Sequence, residues 1–149
     1  MKKLGLLLAC ILLIVSGCSS TTTQEDKVES KVVSIGVDDA INKIEKKQTF
    51  ILLVTRKKCE YCEALLETLD ATIDEHKVVI YNAVMRDDTV DNLNADVDKL
   101  KNYLERPDQT PHYYYIVDGE VMDAEMGYTS ANPNRFWDWI SKNDVEGLQ

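Results

Sequence analysis

The stretch Phe50-Ile51-Leu52-Leu53-Val54-Thr55-Arg56-Lys57-Lys58-Cys59-Glu60-Tyr61-Cys62 (FILLVTRKKCEYC) decides how the rest of the chain is read. Its first six residues are an almost unbroken apolar run of strand length, the pattern of a central strand covered on both faces. Three basic residues follow, then two cysteines separated by two positions. From Cys62 the apolar residues Leu65, Leu66, Leu69 and Ile73 recur at spacings of three and four, which predicts an amphipathic helix. The cysteine pair therefore sits at the junction between a buried strand and a helix start.

Outward from this unit the chain alternates. Lys31–Ile35 is short and β-branched, a strand. Asp38 and Asp39 open a helix reaching about Lys47, with Ala40, Ile41 and Ile44 on one face. Residues 78–84 form a further strand, and Leu93, Val97, Leu100 and Leu104 mark a helix stopped by Pro107. Residues 112–117 (HYYYIV), the pair Asp118-Gly119 and residues 120–126 read as a hairpin. Asn132-Pro133 supplies an N-cap and first-turn proline for a last helix containing Phe136, Trp137 and Ile140. Crossover helices require parallel strand neighbours and a hairpin adds antiparallel ones. The expected fold class is α/β, a central mixed β-sheet flanked by helices, with no internal repeat.

Composition bounds the function. A chain of 149 residues suits one domain, and 29% charged residues exclude a multi-span membrane protein. A net charge of −9 argues against nucleic acid as a partner, because phosphate neutralisation needs clustered Lys and Arg.

The beginning of the chain reads as an address. Met1-Lys2-Lys3 is positive, and the apolar residues 4–15 would rise only about 18 Å as a helix, short of the roughly 30 Å hydrocarbon core. With Ser16-Gly17 behind them they form a secretory signal, residues 1–17. Val15-Ser16-Gly17-Cys18 resembles the lipobox of bacterial lipoproteins, which implies that Cys18 carries lipid and begins the mature chain. Residues 18–30 are then a lipidated cysteine and a polar tether whose dozen residues span on the order of 20 Å. Removing Lys2 and Lys3 leaves 15 basic against 26 acidic residues, a net charge of −11. The folded domain is expected over 31–143 and a tail over 144–149, on the extracytoplasmic side of a membrane to which only the lipid attaches it.

With Cys10 lost and Cys18 lipidated, Cys59 and Cys62 remain. A structural staple closing so short a loop contributes only about 2 kcal/mol. A Cys₂His₂ zinc site needs histidines three to five residues apart, whereas His76 and His112 are 36 positions apart. Thiol–disulfide exchange is the favoured reading. A helix N-terminus and Arg56, Lys57 and Lys58 favour the thiolate, while Glu60 and Glu63 oppose it. Cys62 continues the buried stripe and Cys59 lies at the exposed helix start, so Cys59 is the attacking thiolate and Cys62 the resolving thiol. Neither metal nor cofactor is required.

The strand FILLVT, the loop RKK, the Cys59-Glu60-Tyr61-Cys62 motif at a helix start and Thr110-Pro111 before the hairpin together resemble the thioredoxin superfamily over residues 32–142. The resemblance implies a thioredoxin-like fold, a cis-proline at Pro111 facing the cysteines, and a substrate groove in which the Thr110 backbone pairs with a bound peptide. Thioredoxin itself carries Trp before the first cysteine, Gly-Pro between the two and a buried acid six residues upstream. Here those positions hold Lys58, Glu60-Tyr61 and Leu53, which points away from cytosolic-thioredoxin-like reduction. The chain looks more similar to the thioredoxin-like bacteriocin transport accessory proteins. The implied partners are cysteine-containing exported proteins and a redox partner protein; the rival reading is a non-catalytic accessory or binding module of a secretion or bacteriocin transport system.

The other conspicuous residues have plainer readings. His112 is a strand-start residue or a proton relay, and Tyr113-Tyr114-Tyr115 is a β-rich strand. Trp137 and Trp139 cannot share one helix side, so one is expected in the core and the other partly exposed. Asp87, Asp88 and Asp91 read as a solvated helix start.

Overall fold

A computed structural model describes residues 30–145, 147 and 148. The signal, Cys18 and nearly all of the expected tether, residues 1–29, lie outside the described residues.

The elements run β1 (Lys31–Ile35), α1 (Val37–Glu45), β2 (Phe50–Arg56), α2 (Glu60–Thr72), a single 3₁₀ turn (Ile73–Glu75), β3 (Val79–Met85), α3 (Val90–Leu100), β4 (His112–Val117), β5 (Glu120–Met126) and α4 (Arg135–Lys142). The five strands lie in the order β1-β3-β2-β4-β5. β3 pairs in parallel with both β1 and β2, while β4 runs antiparallel to β2 and to β5. The sheet is therefore mixed, as the crossover helices and the hairpin require.

β2 explains why the apolar run has no polar alternation. Phe50, Leu52 and Val54 enter a core with α1 and α3, where they meet Ala40, Ile44, Val97 and Leu100. Ile51 and Leu53 enter the opposite core with α2 and α4, against Leu65, Leu69, Phe136 and Ile140. Both faces of the central strand are dry, so both parities must be apolar. The helices start where local chemistry stops the preceding strand. Gly36 caps α1, its N–H donating to the Asp39 carboxylate at 3.3 Å. The Thr89 hydroxyl caps α3, accepting from the Asn92 N–H at 3.1 Å.

The hairpin turn Asp118-Gly119 has positive φ at both residues, 51° and 81°, the twist that joins two antiparallel strands through two residues. At Gly119 a side chain has no room, because a Cβ there would lie 2.4 Å from the Ile44 carbonyl oxygen.

Four expectations need correction. α4 begins at Arg135 behind Asn134, not behind Asn132-Pro133, because Asn132 bridges back to Thr129 in a separate turn. Trp137 and Trp139 are both buried. Trp139 packs on Tyr113 and donates to Asp123 at 3.1 Å, while Trp137 stacks on His76 at 3.6 Å and donates to Thr72 at 2.8 Å. The helix is wedged between sheet and α2, so two of its sides are covered. Of the expected tail, the described residues beyond 143 pack back on the domain. Val145 is buried, the Gly147 N–H donates to the Lys77 carbonyl, and the Val79 N–H donates to the Leu148 carbonyl at 3.1 Å. At the other terminus the Ser30 hydroxyl donates to the His76 carbonyl, so Ser30 belongs to the domain. Among the described residues no helix is long and apolar enough to cross a membrane.

Candidate active site

Register brings the sequence-predicted residues together. β2 ends at Arg56, and its chain turns through Lys57 and Lys58 into α2. β4 starts opposite Val54 of β2 with His112, so the preceding Thr110-Pro111 lies beside the place where β2 gives way to the cysteines. The Thr110-Pro111 peptide bond is cis. Cys59 and Cys62 are joined in a disulfide, with Cα atoms 5.2 Å apart.

Cys59 is the N-cap of α2. Its Sγ accepts the Cys62 N–H at 3.2 Å, and its carbonyl accepts the N–H groups of Cys62 and Glu63. A sulfur held there faces donors that would otherwise lack partners, and negative charge on it is favoured. The Thr110 hydroxyl lies 3.4 Å from the same sulfur and the Thr110 carbonyl oxygen 3.6 Å from it. Among the described residues the Thr110 N–H has no hydrogen-bond partner, so one edge of this residue is open to an incoming chain. The Pro111 carbonyl, in contrast, is used, accepting from Gly127 at 2.8 Å.

The expectation of an exposed helix start at Cys59 needs correction. Cys59 is 7% exposed and Cys62 1%, so both are buried, Cys59 the less deeply. The basic loop also divides. The Lys58 N–H donates to the Asp87 carboxylate at 2.6 Å and its Nζ to the Asp87 carbonyl at 3.2 Å. Arg56 instead lines a cleft with Cys62. Asp87 is thus a loop anchor, not merely part of a solvated helix start. Its neighbour Arg86 is held by Asp96, which accepts from the Arg86 N–H at 2.8 Å and from its Nε and Nη2 at 3.1 and 2.5 Å.

His112 is buried with its Nδ1 3.1 Å from the Arg106 carbonyl and its ring stacked on Tyr114 at 4.3 Å. Tyr114 belongs to the α1/α3 core, so the ring is turned to the face away from α2, and burial holds its pKa below the ordinary histidine value. Tyr113 and Tyr114 are core residues. His76, stacked on Trp137, precedes β3 and does not approach Cys59. Among the described residues no three His, Cys, Asp or Glu side chains gather as a metal site.

Sequence reasoning missed Thr55, Asn82 and Asp96, all buried polar residues. Asn82 interrupts the apolar run of β3 and Thr55 ends that of β2, a signal that needed the β2–β3 register to become a pair. The Thr55 hydroxyl donates to Asn82 Oδ1 at 2.8 Å. Tyr61, between the cysteines, is 62% exposed and adds aromatic surface beside the disulfide.

Chemically, the arrangement is a two-electron couple. One sulfur can be approached, a hydroxyl and a carbonyl lie beside it, and the second sulfur is buried behind it. No protein-family model and no curated protein matches the sequence. Solved structures do match. Thioredoxin F from spinach chloroplast aligns with a TM-score of 0.56 at 15% identity, over 79% of this chain and 97% of that one. Oxidised thioredoxin O2 from Arabidopsis thaliana gives 0.52 at 14% identity over 76% and 94%, and thioredoxin from Trypanosoma brucei brucei 0.52 at 18% over 77% and 92%. The strand order, the two helical layers and the cis-proline beside a CxxC helix start agree with what these alignments establish: the chain has the thioredoxin fold.

Proposed function

We propose that this protein is a thiol–disulfide oxidoreductase, anchored through lipid on Cys18 to the extracytoplasmic face of the cell membrane, that acts on cysteines of exported proteins. The observation that carries the reading is the Cys59–Cys62 disulfide set against Thr110-Pro111, with the Thr110 hydroxyl 3.4 Å from Cys59 Sγ. Cys59, the more exposed sulfur, exchanges with the substrate; Cys62 resolves the mixed disulfide. Thr110, through its free N–H, and Pro111 hold the substrate chain beside the sulfur, and Tyr61 extends the contact surface. The extracytoplasmic setting is supported by the signal and lipobox pattern and by the chemistry, since disulfides persist in oxidising compartments. A second redox protein restores the pair after each turnover. The similarity to bacteriocin transport accessory proteins supports clients that pass through a secretion system.

The test is a trap. In the full-length chain Cys62→Ser removes the resolving thiol, and adducts through Cys59 should accumulate with envelope proteins and dissolve on reduction. Recovering no adduct overturns the oxidoreductase reading. If a Cys59→Ser, Cys62→Ser double variant also restores a deletion strain, the protein works as a binding module.

A further inference from the structure

Behind Cys62, on the side away from Thr110-Pro111, lies an open cleft of about 530 Å³ between β1, β3 and α2. Its apolar walls are interrupted by a polar end where Thr55, Arg56, Lys57, Glu63 and Asn82 surround the buried cysteine. Hydrogen bonding gives this end a sign. Asn82 is 4% exposed, and its Oδ1 is taken by the Thr55 hydroxyl. Among the described residues no hydrogen bond from its amide N–H groups to protein is seen, and Asn82 lines the cleft. Arg56 Nε is buried and unpaired. A buried donor without an acceptor is costly, so the unpaired Arg56 Nε, with the Asn82 amide beside it, marks a place where an acceptor belongs for part of the cycle.

We propose that this cleft is a thiolate-stabilising chamber for Cys62, in which the Asn82 amide and the Arg56 guanidinium, through cleft water, support the Cys62 anion. The inference rests on the oxidoreductase reading for its purpose. In the oxidising direction a substrate thiolate attacks Cys59 Sγ, the Cys59–Cys62 bond breaks, and the electron pair leaves on Cys62 as a thiolate. In the reducing direction Cys62 gives its proton to cleft water and attacks Cys59 Sγ, and the substrate sulfur leaves with the pair. Both directions pass through an anion on the sulfur that the protein buries most deeply, and an unsupported buried charge is costly. Among the described residues no carboxylate is buried with Cys62 to take its proton. The charged groups facing the cleft are Arg56 and Lys57 from the end of β2 and Glu63 from α2; β1 and β3 contribute none. Thr55 is a positioning residue that orients Asn82 with its donors toward the cleft.

The chamber is tested on the full-length Cys59→Ser protein, in which Cys62 is a free thiol, by following iodoacetamide alkylation of Cys62 by peptide mass spectrometry across pH. Access sets the high-pH plateau and ionisation sets the midpoint, so a merely structural change moves the first and loss of anion support moves the second. Adding Arg56→Met or Asn82→Leu should raise the midpoint by about one pH unit, which is about tenfold slower alkylation near neutral pH. Glu63→Gln should lower it. If Asn82→Leu does not fold, Asn82→Asp replaces it and should raise the midpoint further. A midpoint unmoved by Arg56→Met in folded protein overturns the proposal. The assay needs no substrate, so a shifted midpoint with no trapped client would sink the oxidoreductase reading and leave the chamber standing.

Discussion

Replacing Asp96 by Asn removes one charge from a buried anchor and leaves the shape nearly unchanged. Asp96 is 2% exposed in the middle of α3, where an ionised carboxylate is expensive unless fully engaged. It accepts from the Arg86 backbone N–H and from two nitrogens of the Arg86 guanidinium. A hydrogen bond to a charged group is worth about 1.5–3 kcal/mol, and removing one partner of a fully buried pair costs about 3–5 kcal/mol. The Arg86 side chain is 53% exposed and regains water when released, so the cost falls below the fully buried range, at about 2–3 kcal/mol. For a domain of this size that lowers Tm by roughly 8–12 °C. The assay is urea unfolding of wild type and Asp96→Asn as a function of pH. Burial alone would raise the Asp96 pKa, but the Arg86 hydrogen bonds and charge outweigh it and hold the group below the usual carboxylate value. The folded value is then lower than the unfolded one, so the unfolded chain binds the proton first on acidification. The Asp96 contribution is complete above about pH 4 and is lost as pH falls through the depressed folded value. The difference between the proteins should therefore be full near neutrality and shrink in acid. A difference under about 0.5 kcal/mol near neutral pH, or one that does not change with pH, refutes the account.

Two further outcomes follow from single residues. Burial pushes the His112 pKa below its unfolded value, so the unfolded chain takes up a proton the folded one refuses; stability should decline as pH falls below about 6.5 and level off beneath the folded value. His112→Gln should flatten that part of the urea-midpoint profile, and an unchanged slope would assign it to other groups. Gly119→Ala should cost at least about 1–3 kcal/mol, since it combines φ of +81° with a Cβ driven into the Ile44 carbonyl; thermal unfolding near the wild-type Tm would show that the hairpin and α1 separate easily.

What was legible in the sequence followed from period and punctuation. The β2 run announced a strand dry on both sides, and the stripe from Cys62 through Leu69 gave α2 and the burial of Cys62. The cis-proline was reachable only through family resemblance, because nothing in Gln109-Thr110-Pro111 distinguishes it chemically. What stayed hidden depended on tertiary neighbours. Trp137 and Trp139 project about 200° apart around a helix, and one-sided amphipathicity is the sensible default for a surface helix. Only the approach of the His76 turn and of Tyr113 from two directions covers both. Thr55 and Asn82 look unremarkable until register sets Thr55 beside Val84 and Leu53 beside Asn82, within reach of one hydrogen bond. Asp96 lies next to Val97 on the α3 stripe and reads as solvated unless Arg86 is known to fold over it. The positive loop was counted as one cluster, yet Asp87 draws Lys58 one way while Arg56 turns into the cleft beside Cys62.

The seam formed by Ser30, His76, Lys77 and Leu148 lies at one end of the sheet. Lys31 pairs with Val79, where β1 and β3 begin, whereas Arg56 pairs with Met85, where β2 and β3 finish and the disulfide follows. The seam and the sulfurs are thus separated by the length of a β3 of seven residues, about 20 Å. Ser30 therefore stands at the pole opposite Cys59. Any chain entering at Ser30 joins the domain at the end farthest from the sulfurs, and leaves the approach to Cys59 and Thr110 unobstructed.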